Sequence, residues 1–183
     1  MRLNDLLPKT YEYGDLEIEM DLTFDNVLDL FDVLKMIELS EFHRAELCLV
    51  LLFGEGVIEP EDTIEVWNDV FDHYLDSAKD EVVRYDIAGN PMPTKASEPL
   101  IDLDQDAEFL YASFIQAYGI NLIQEQGVLH WLEFKALLNG LPESTIIKQI
   151  IHIRSYEPGE HDSTEYKKQM QELQDFYRLE VDK

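Results

Sequence analysis

Leu16, Ile18, Met20 and Leu22 alternate with Glu17, Glu19 and Asp21, and at Thr23 the spacing changes: Phe24, Val27, Leu28, Phe31 and Leu34 recur at helical intervals, with Asp25, Asp29 and Asp32 on the other side. A period of two turns one face of a strand toward a core, and a period near 3.6 does the same for a helix. The switch therefore commits this region to a β element followed directly by a helix, with Thr23 as its N-cap. Gly14-Asp15 marks a turn before the strand, and Tyr11 and Tyr13 supply a short preceding strand. The resulting hairpin is too small to stand without a helix covering it.

Helical spacing dominates from there. Ser40 opens a second helix whose apolar second half runs to Phe53 and closes at Gly54 or Gly56. A third begins around Pro60 and carries Ile64, Trp67, Val70, Phe71 and Tyr74 toward Ser77. Gly89, Pro91, Pro93 and Pro99 then break the pattern, so 79–103 reads as a loop or linker, with 82–85 and 99–103 as candidate short strands. Periodicity resumes after Asp104 with Phe109, Leu110, Phe114 and Tyr118, and stops at Gly119. Further helices are expected over 126–139, 143–155 and 163–181. The expected fold class is mainly α, a helical domain of about six to seven helices with a small N-terminal β element. A chain of 183 residues fits one domain. Within it, 1–78 holds the acidic hairpin and three helices, 79–103 the linker, and 104–183 the helical carboxy-terminal half.

The chain has 39 Asp plus Glu against 14 Lys plus Arg, a net charge of -25. Residues 1–78 hold 20 acids and 4 bases, and 79–183 hold 19 and 10, so the first part is the more acidic. Nucleic acids and anionic membranes are gathered by Lys and Arg clusters, and neither is expected as a partner here. Basic proteins are, unless the acidity serves solubility alone. The longest apolar run, Leu47 to Phe53, is far short of the roughly 20 residues of a membrane span, and Met1 to Thr10 lacks a signal-like apolar region. Cys48, the single cysteine, sits inside that run, which points to a buried, unreactive thiol and a reducing compartment.

No catalytic constellation stands out, and the chain is expected to bind a partner without enzymatic activity, cofactor or metal. Asp102, Asp104 and Asp106 alternate as in a calcium loop, but Ala107 stands where such a loop needs glycine and Ser113 where it needs glutamate. An acidic N-cap and first turn account for them more simply. His43, His73, His130, His152 and His161 form no metal-binding spacing; Asp69 and His73, four apart, suit a surface hydrogen bond. The aromatic residues Trp67, Phe71, Tyr74, Tyr111, Phe114, Tyr118, Trp131 and Phe134 read as core, with a groove for a partner helix lined by some of them as the alternative. Tyr166, Met170, Leu173 and Tyr177 form a narrow apolar seam on the last helix, the favoured partner-binding stripe, with permanent packing on the domain as the competing reading.

The run Asp106-Ala107-Glu108-Phe109-Leu110-Tyr111-Ala112-Ser113-Phe114, with Gln116, Tyr118-Gly119-Ile120-Asn121-Leu122, His130-Trp131, Phe134, Leu137-Leu138, Gly140-Leu141-Pro142 and Ile153-Arg154, resembles the bacteriophage gene-product-fifteen family, from tailed phages and prophages of Gram-positive bacteria. The strand and acidic helix over 16–34 also fit, and Asn121 departs from the pattern, which leads one to expect aspartate. The resemblance makes Tyr118, Gly119, His130, Trp131 and Phe134 a structural motif and supplies no catalytic residue. It implies a gene in the tail-morphogenesis block near the tape-measure gene. The expected role is a tail-assembly accessory, a chaperone for the tape-measure protein or other tail proteins, in the host cell cytoplasm and absent from the mature virion. A structural tail or connector component, or an acidic DNA mimic, are the alternatives, and a homo-oligomer is left open.

Overall fold

A computed structural model describes residues 4–75 and 100–180. The chain divides into two compact units, the first taking Met1–Val82 with Glu125–Ala136 and the second Val83–Gln124 with Leu137–Lys183. The sequence reading kept 104–183 together, whereas 125–136 belongs with the amino-terminal unit. Among the described residues there are seven α-helices and one two-stranded sheet, the mainly helical fold with a small N-terminal β element that the periodicity implies. The candidate strand at 82–85, and all of 79–103 up to Pro99, lie outside the described residues, and the described part of the other candidate, 100–103, is bend, coil and turn and not strand.

In the first unit, β1 (Thr10–Tyr13) pairs antiparallel with β2 (Leu16–Glu19), Thr10 opposite Glu19 and Tyr13 opposite Leu16. Gly14 turns the hairpin at φ +60, a conformation a side chain resists. The alternating stripe extends past the strand: Leu16 is exposed, while Met20 and Leu22, beyond Glu19, are buried. Met20 donates to Lys9 O and Asp21 to Leu52 O, which keeps this backbone extended up to helix α1 (Phe24–Lys35). Thr23 has N-cap backbone angles, but its hydroxyl donates to Asp21 Oδ1 at 2.7 Å instead of capping α1. The charge-assisted bond to that carboxylate, which also accepts from Thr23 N, turns the hydroxyl toward Asp21 and away from the free N–H groups of the first helical turn.

Helix α2 (Glu41–Phe53) begins as expected, with Ser40 Oγ accepting from His43 N, and it is Gly54, at φ +89, that ends it. Arg44 donates to Leu34 O at 3.1 Å, placing a cation on the carbonyl end of α1. Helix α3 (Thr63–Val70) starts three residues later than Pro60, because a turn closed by Asp62 N on Glu59 O occupies the intervening chain. It continues as a π-helical turn over Phe71–Leu75. Val27, Leu30, Cys48, Leu52 and Val70 are fully enclosed where α1, α2 and α3 pack.

The second unit is built on α4 (Ala107–Tyr118), α6 (Ile146–Arg154) and α7 (Thr164–Phe176), with α4 against α6 and α6 against α7. Gly119 closes α4 in the left-handed conformation. Phe114, Ile147 and Ile150 are fully buried. The first turn of α6 takes its cap from another helix. Thr145 Oγ1 turns back to Pro142 O, and Ser113 Oγ of α4 accepts from Ile147 N at 3.2 Å while donating to Phe109 O. The turn that Pro142 accepts from Thr145 N delays α6 from the expected 143 to Ile146. Helix α7 begins at Ser163, whose hydroxyl accepts from Tyr166 N, but ends at Phe176, short of the expected 181.

Candidate functional site

The segment carrying His130, Trp131 and Phe134 opens α5 (Trp131–Asn139), whose residues up to Ala136 belong to the first unit. A helix was expected from 126, but Glu125–Leu129 forms turns, with Gly127 at φ +69 and its N–H donating to the Asp25 carboxylate at 2.9 and 3.1 Å. Thr23 and His130 form an isolated antiparallel bridge: Trp131 N donates to Leu22 O at 2.7 Å and Phe24 N to Leu129 O at 2.9 Å. His130 Nδ1 accepts from Leu132 N at 3.1 Å, so Nε2 carries the proton and donates to Pro8 O at 2.9 Å. Glu133 Oε2 in turn accepts from His130 N at 3.3 Å. This is a variant of the capping box, with histidine in the place usually held by serine or threonine and its ring nitrogen on the second helical N–H in place of the third. His130 therefore fixes where α5 starts, a role its residue type conceals in the sequence although the His130-x-x-Glu133 spacing signals it.

Behind that cap lies an aromatic cluster. Phe134 stacks on Phe24 at 5.0 Å and on Trp131 at 5.6 Å, and Phe31 meets Trp131 edge-on at 5.5 Å. Trp131 is buried, and its Nε1 has no hydrogen-bond acceptor among the described residues. The remaining two motif residues lie in the second unit: Tyr118 donates to Leu137 O at 2.9 Å, and Gly119 closes α4. The motif is thus two separate local structures. Asn121 accepts from Ile123 N and Gln124 N through Oδ1, contacts an aspartate could accept equally.

The sequence reading missed the central polar cluster of the second unit. Arg154 meets Asp106 in a bidentate pair at 2.6 and 2.8 Å, with the carboxylate side chain 1% exposed and the guanidinium 9%. Arg154 also donates to Leu100 O at 2.9 Å and to Tyr177 O at 2.7 Å, and Asp106 accepts from Asp102 N. Asp106 therefore does not cap α4 through its side chain, as the acidic-cap reading required; Asp102 Oδ1 accepts from Asp104 N and Gln105 N in the turn before it. Capture of the Tyr177 carbonyl explains why α7 stops there. Beyond it, Glu180 is held by the Gln105 amide, which accepts from Glu180 N and donates to Glu180 O.

Of the seam residues, Met170 is buried, Tyr166 lies edge-on to Tyr156 at 5.7 Å, and Tyr177 lies edge-on to Phe109 at 6.0 Å; Leu173 is half-buried. Met170, Leu173 and Tyr177 are thus turned toward the chain's own second unit, Tyr166 remains 42% exposed, and the large apolar side chain that α7 exposes most is Phe176. Tyr156 donates to Asp162, and burial, reinforced by that carboxylate, pushes its hydroxyl up to about 12. Asp162 is correspondingly held below the usual carboxylate value, first by Tyr156 and then by Gly159 N. In the first unit, His73 Nδ1 lies 3.1 Å from Asp69 Oδ1 on an exposed face. Nearby, burial and then the Asp69 carboxylate push the Tyr11 hydroxyl up to about 12. Burial also raises the Cys48 thiol to about 12. Among the described residues, no group of three or more His, Cys, Asp or Glu side chains is arranged to hold a metal, and no helix is long and apolar enough to cross a membrane.

The family model described as Bacteriophage Gp15 protein matches residues 3–179. The chain belongs to that family. Membership spans both units, so the hairpin and acidic helix of the first are as much part of the family pattern as the carboxy-terminal run. No curated protein and no solved structure matches the chain.

Proposed function

We propose that this phage protein is a non-enzymatic accessory of tail assembly that binds the tape-measure protein transiently, as a chaperone. The observation that carries this reading is membership of the phage family across 3–179, joined to a net charge of -25. A tape-measure protein is long, helical and prone to aggregate before the tail tube encloses it. A strongly charged helical partner keeps such a complex soluble and speeds encounter with basic segments. The buried ionisable groups fit binding better than chemistry, since Asp106 and Arg154 hold each other and His130 caps a helix. The protein would act in the host cell cytoplasm and leave before the virion matures.

Tyr166, Met170, Leu173 and Tyr177 serve as the contact only where α7 lifts from its own unit, and a helix near the end of the described chain can do so without dismantling the rest. Co-expression of the tape-measure protein with this chain tests the role. Increased soluble yield and co-purification are expected, and failure of both refutes it. Mass spectrometry of purified virions separates the chaperone, expected to be absent, from a structural tail component, which would be present in stoichiometric amount.

A further inference from the structure

A groove of about 920 Å³ opens in the first unit between the segment leading into β1, the chain from Glu19 to Thr23, the carboxy-terminal end of α2 and the turn at Gly127. Apolar side chains stand around it, among them Leu6, 98% exposed, and Val128, 70% exposed, with Leu7 and Phe53 partly covered. Four acids line it, Asp5, Glu19, Asp21 and Glu133, against one base, Lys9. A second source of negative potential is independent of these side chains. The last turn of α2 borders the groove and contains no basic residue; its Leu51 and Leu52 carbonyls accept from Asn26 and from Asp21 N, neutral donors that bring no cation to the helix's partially negative end.

We infer that this groove receives a cationic amphipathic segment of a partner polypeptide, with apolar side chains set against Leu6, Phe53 and Val128 and Lys or Arg side chains directed at Glu19 and its neighbouring acids. The inference rests on the reading of the protein as a binder of another polypeptide and names the part that binds. Charge complementarity selects this occupant. An anionic segment would meet both the acids and the helix end unfavourably, and a purely apolar one would desolvate the rim carboxylates without bringing them a cation. Asp21 and Glu133 have internal duties, Asp21 accepting from Thr23 and Glu133 from His130 N. Glu19, Leu6 and Val128 are therefore the positions to alter without disturbing the fold.

The test uses the full chain and a fluorescently labelled helical peptide of about 14 residues, four turns, built from Leu and Lys with one apolar face. Anisotropy titrations compare wild type with Glu19→Lys, the charge-neutral Val128→Asn and, as a control for net charge, Glu143→Lys in the second unit. Wild type is expected to bind the Lys peptide and not its Glu counterpart. Glu19→Lys and Val128→Asn should each weaken binding roughly ten-fold at unchanged melting temperature, while Glu143→Lys leaves it unaltered. Equal weakening by Glu19→Lys and Glu143→Lys would overturn the proposal, since net charge alone would then explain the binding, as would binding indifferent to Val128→Asn. The same variants co-expressed with the tape-measure protein separate the two readings. Co-purification that survives both groove variants sinks the groove and leaves the assembly role standing. Loss of co-purification already in wild type, with groove-dependent peptide binding intact, sinks the assembly role and leaves the groove.

Discussion

Replacing Arg154 by alanine should cost the second unit about 3 to 5 kcal/mol, the range for removing one partner of a buried ion pair. The structure sets this at the high end of single-residue effects. Asp106, with its side chain 1% exposed, would lose both short bonds to the guanidinium and keep only the Asp102 N–H, while the Leu100 and Tyr177 carbonyls would each lose a donor. Each orphaned, partly buried carbonyl adds up to about 1 kcal/mol where water does not reach it. Removing Asp106 as well takes away the uncompensated charge, so Asp106→Ala with Arg154→Ala should be no worse than Arg154→Ala alone, a coupling of about 2 kcal/mol or more. Arg154→Lys keeps the charge but not the two-pronged geometry and should fall between. Urea unfolding followed by far-ultraviolet circular dichroism is the assay. Tryptophan emission is unsuitable because Trp67 and Trp131 both lie in the first unit. A loss under about 1 kcal/mol for Arg154→Ala, or costs that simply add in the double variant, would refute the argument.

His130→Ala should destabilise the first unit by about 2 kcal/mol, through the lost cap of α5 and the orphaned Pro8 carbonyl, with His130→Asn recovering part of it; equal losses in denaturant midpoint would argue against the cap. Trp131→Ala should cost about 3 to 5 kcal/mol in the same measurement, and near-wild-type stability would mean the ring is not part of the core. Tyr11 and Cys48 both bind their protons more tightly when folded, with values near 12 against ordinary values of 10.0 and 9.0. Their stabilisation is therefore complete below the unfolded values and is lost as pH rises through about 12, so the melting temperature should decline in the alkaline range, and a rise would contradict it. Cys48 should not react with a thiol reagent until the chain unfolds, and rapid native labelling would count against its burial.

What the sequence made legible are features with local causes. Ser40 and Ser163 cap the helices they precede, Gly54 and Gly119 end the ones they follow, and the Gly14 turn sits just before the strand whose alternation the sequence shows. The features that escaped are set by partners far along the chain. Asp106 reads as a helix-start acid until Arg154, 48 residues away, is brought against it. The end of α7 depends on the same arginine, and Ser113, unremarkable inside an apolar helix, caps a helix 34 residues on. His130 was legible in principle, since its spacing to Glu133 is that of a capping box, but histidine is rarely looked for at that position.

The cations help explain how so acidic a chain holds together. Residues 1–78 contain four bases, and two of them, Lys35 and Arg44, serve α1, the first pairing with Asp32 and the second holding Leu34 O at its carbonyl end. In the second unit Arg154 is drawn inside. The surface that a partner meets is consequently poorer in positive charge than composition alone suggests. Stability and binding then respond to salt in opposite ways. Screening relaxes the self-repulsion of outward acids while leaving the buried Arg154–Asp106 pair nearly untouched, so added salt favours the folded chain. The same screening weakens attraction for a cationic partner, so salt that raises the melting temperature should slow association.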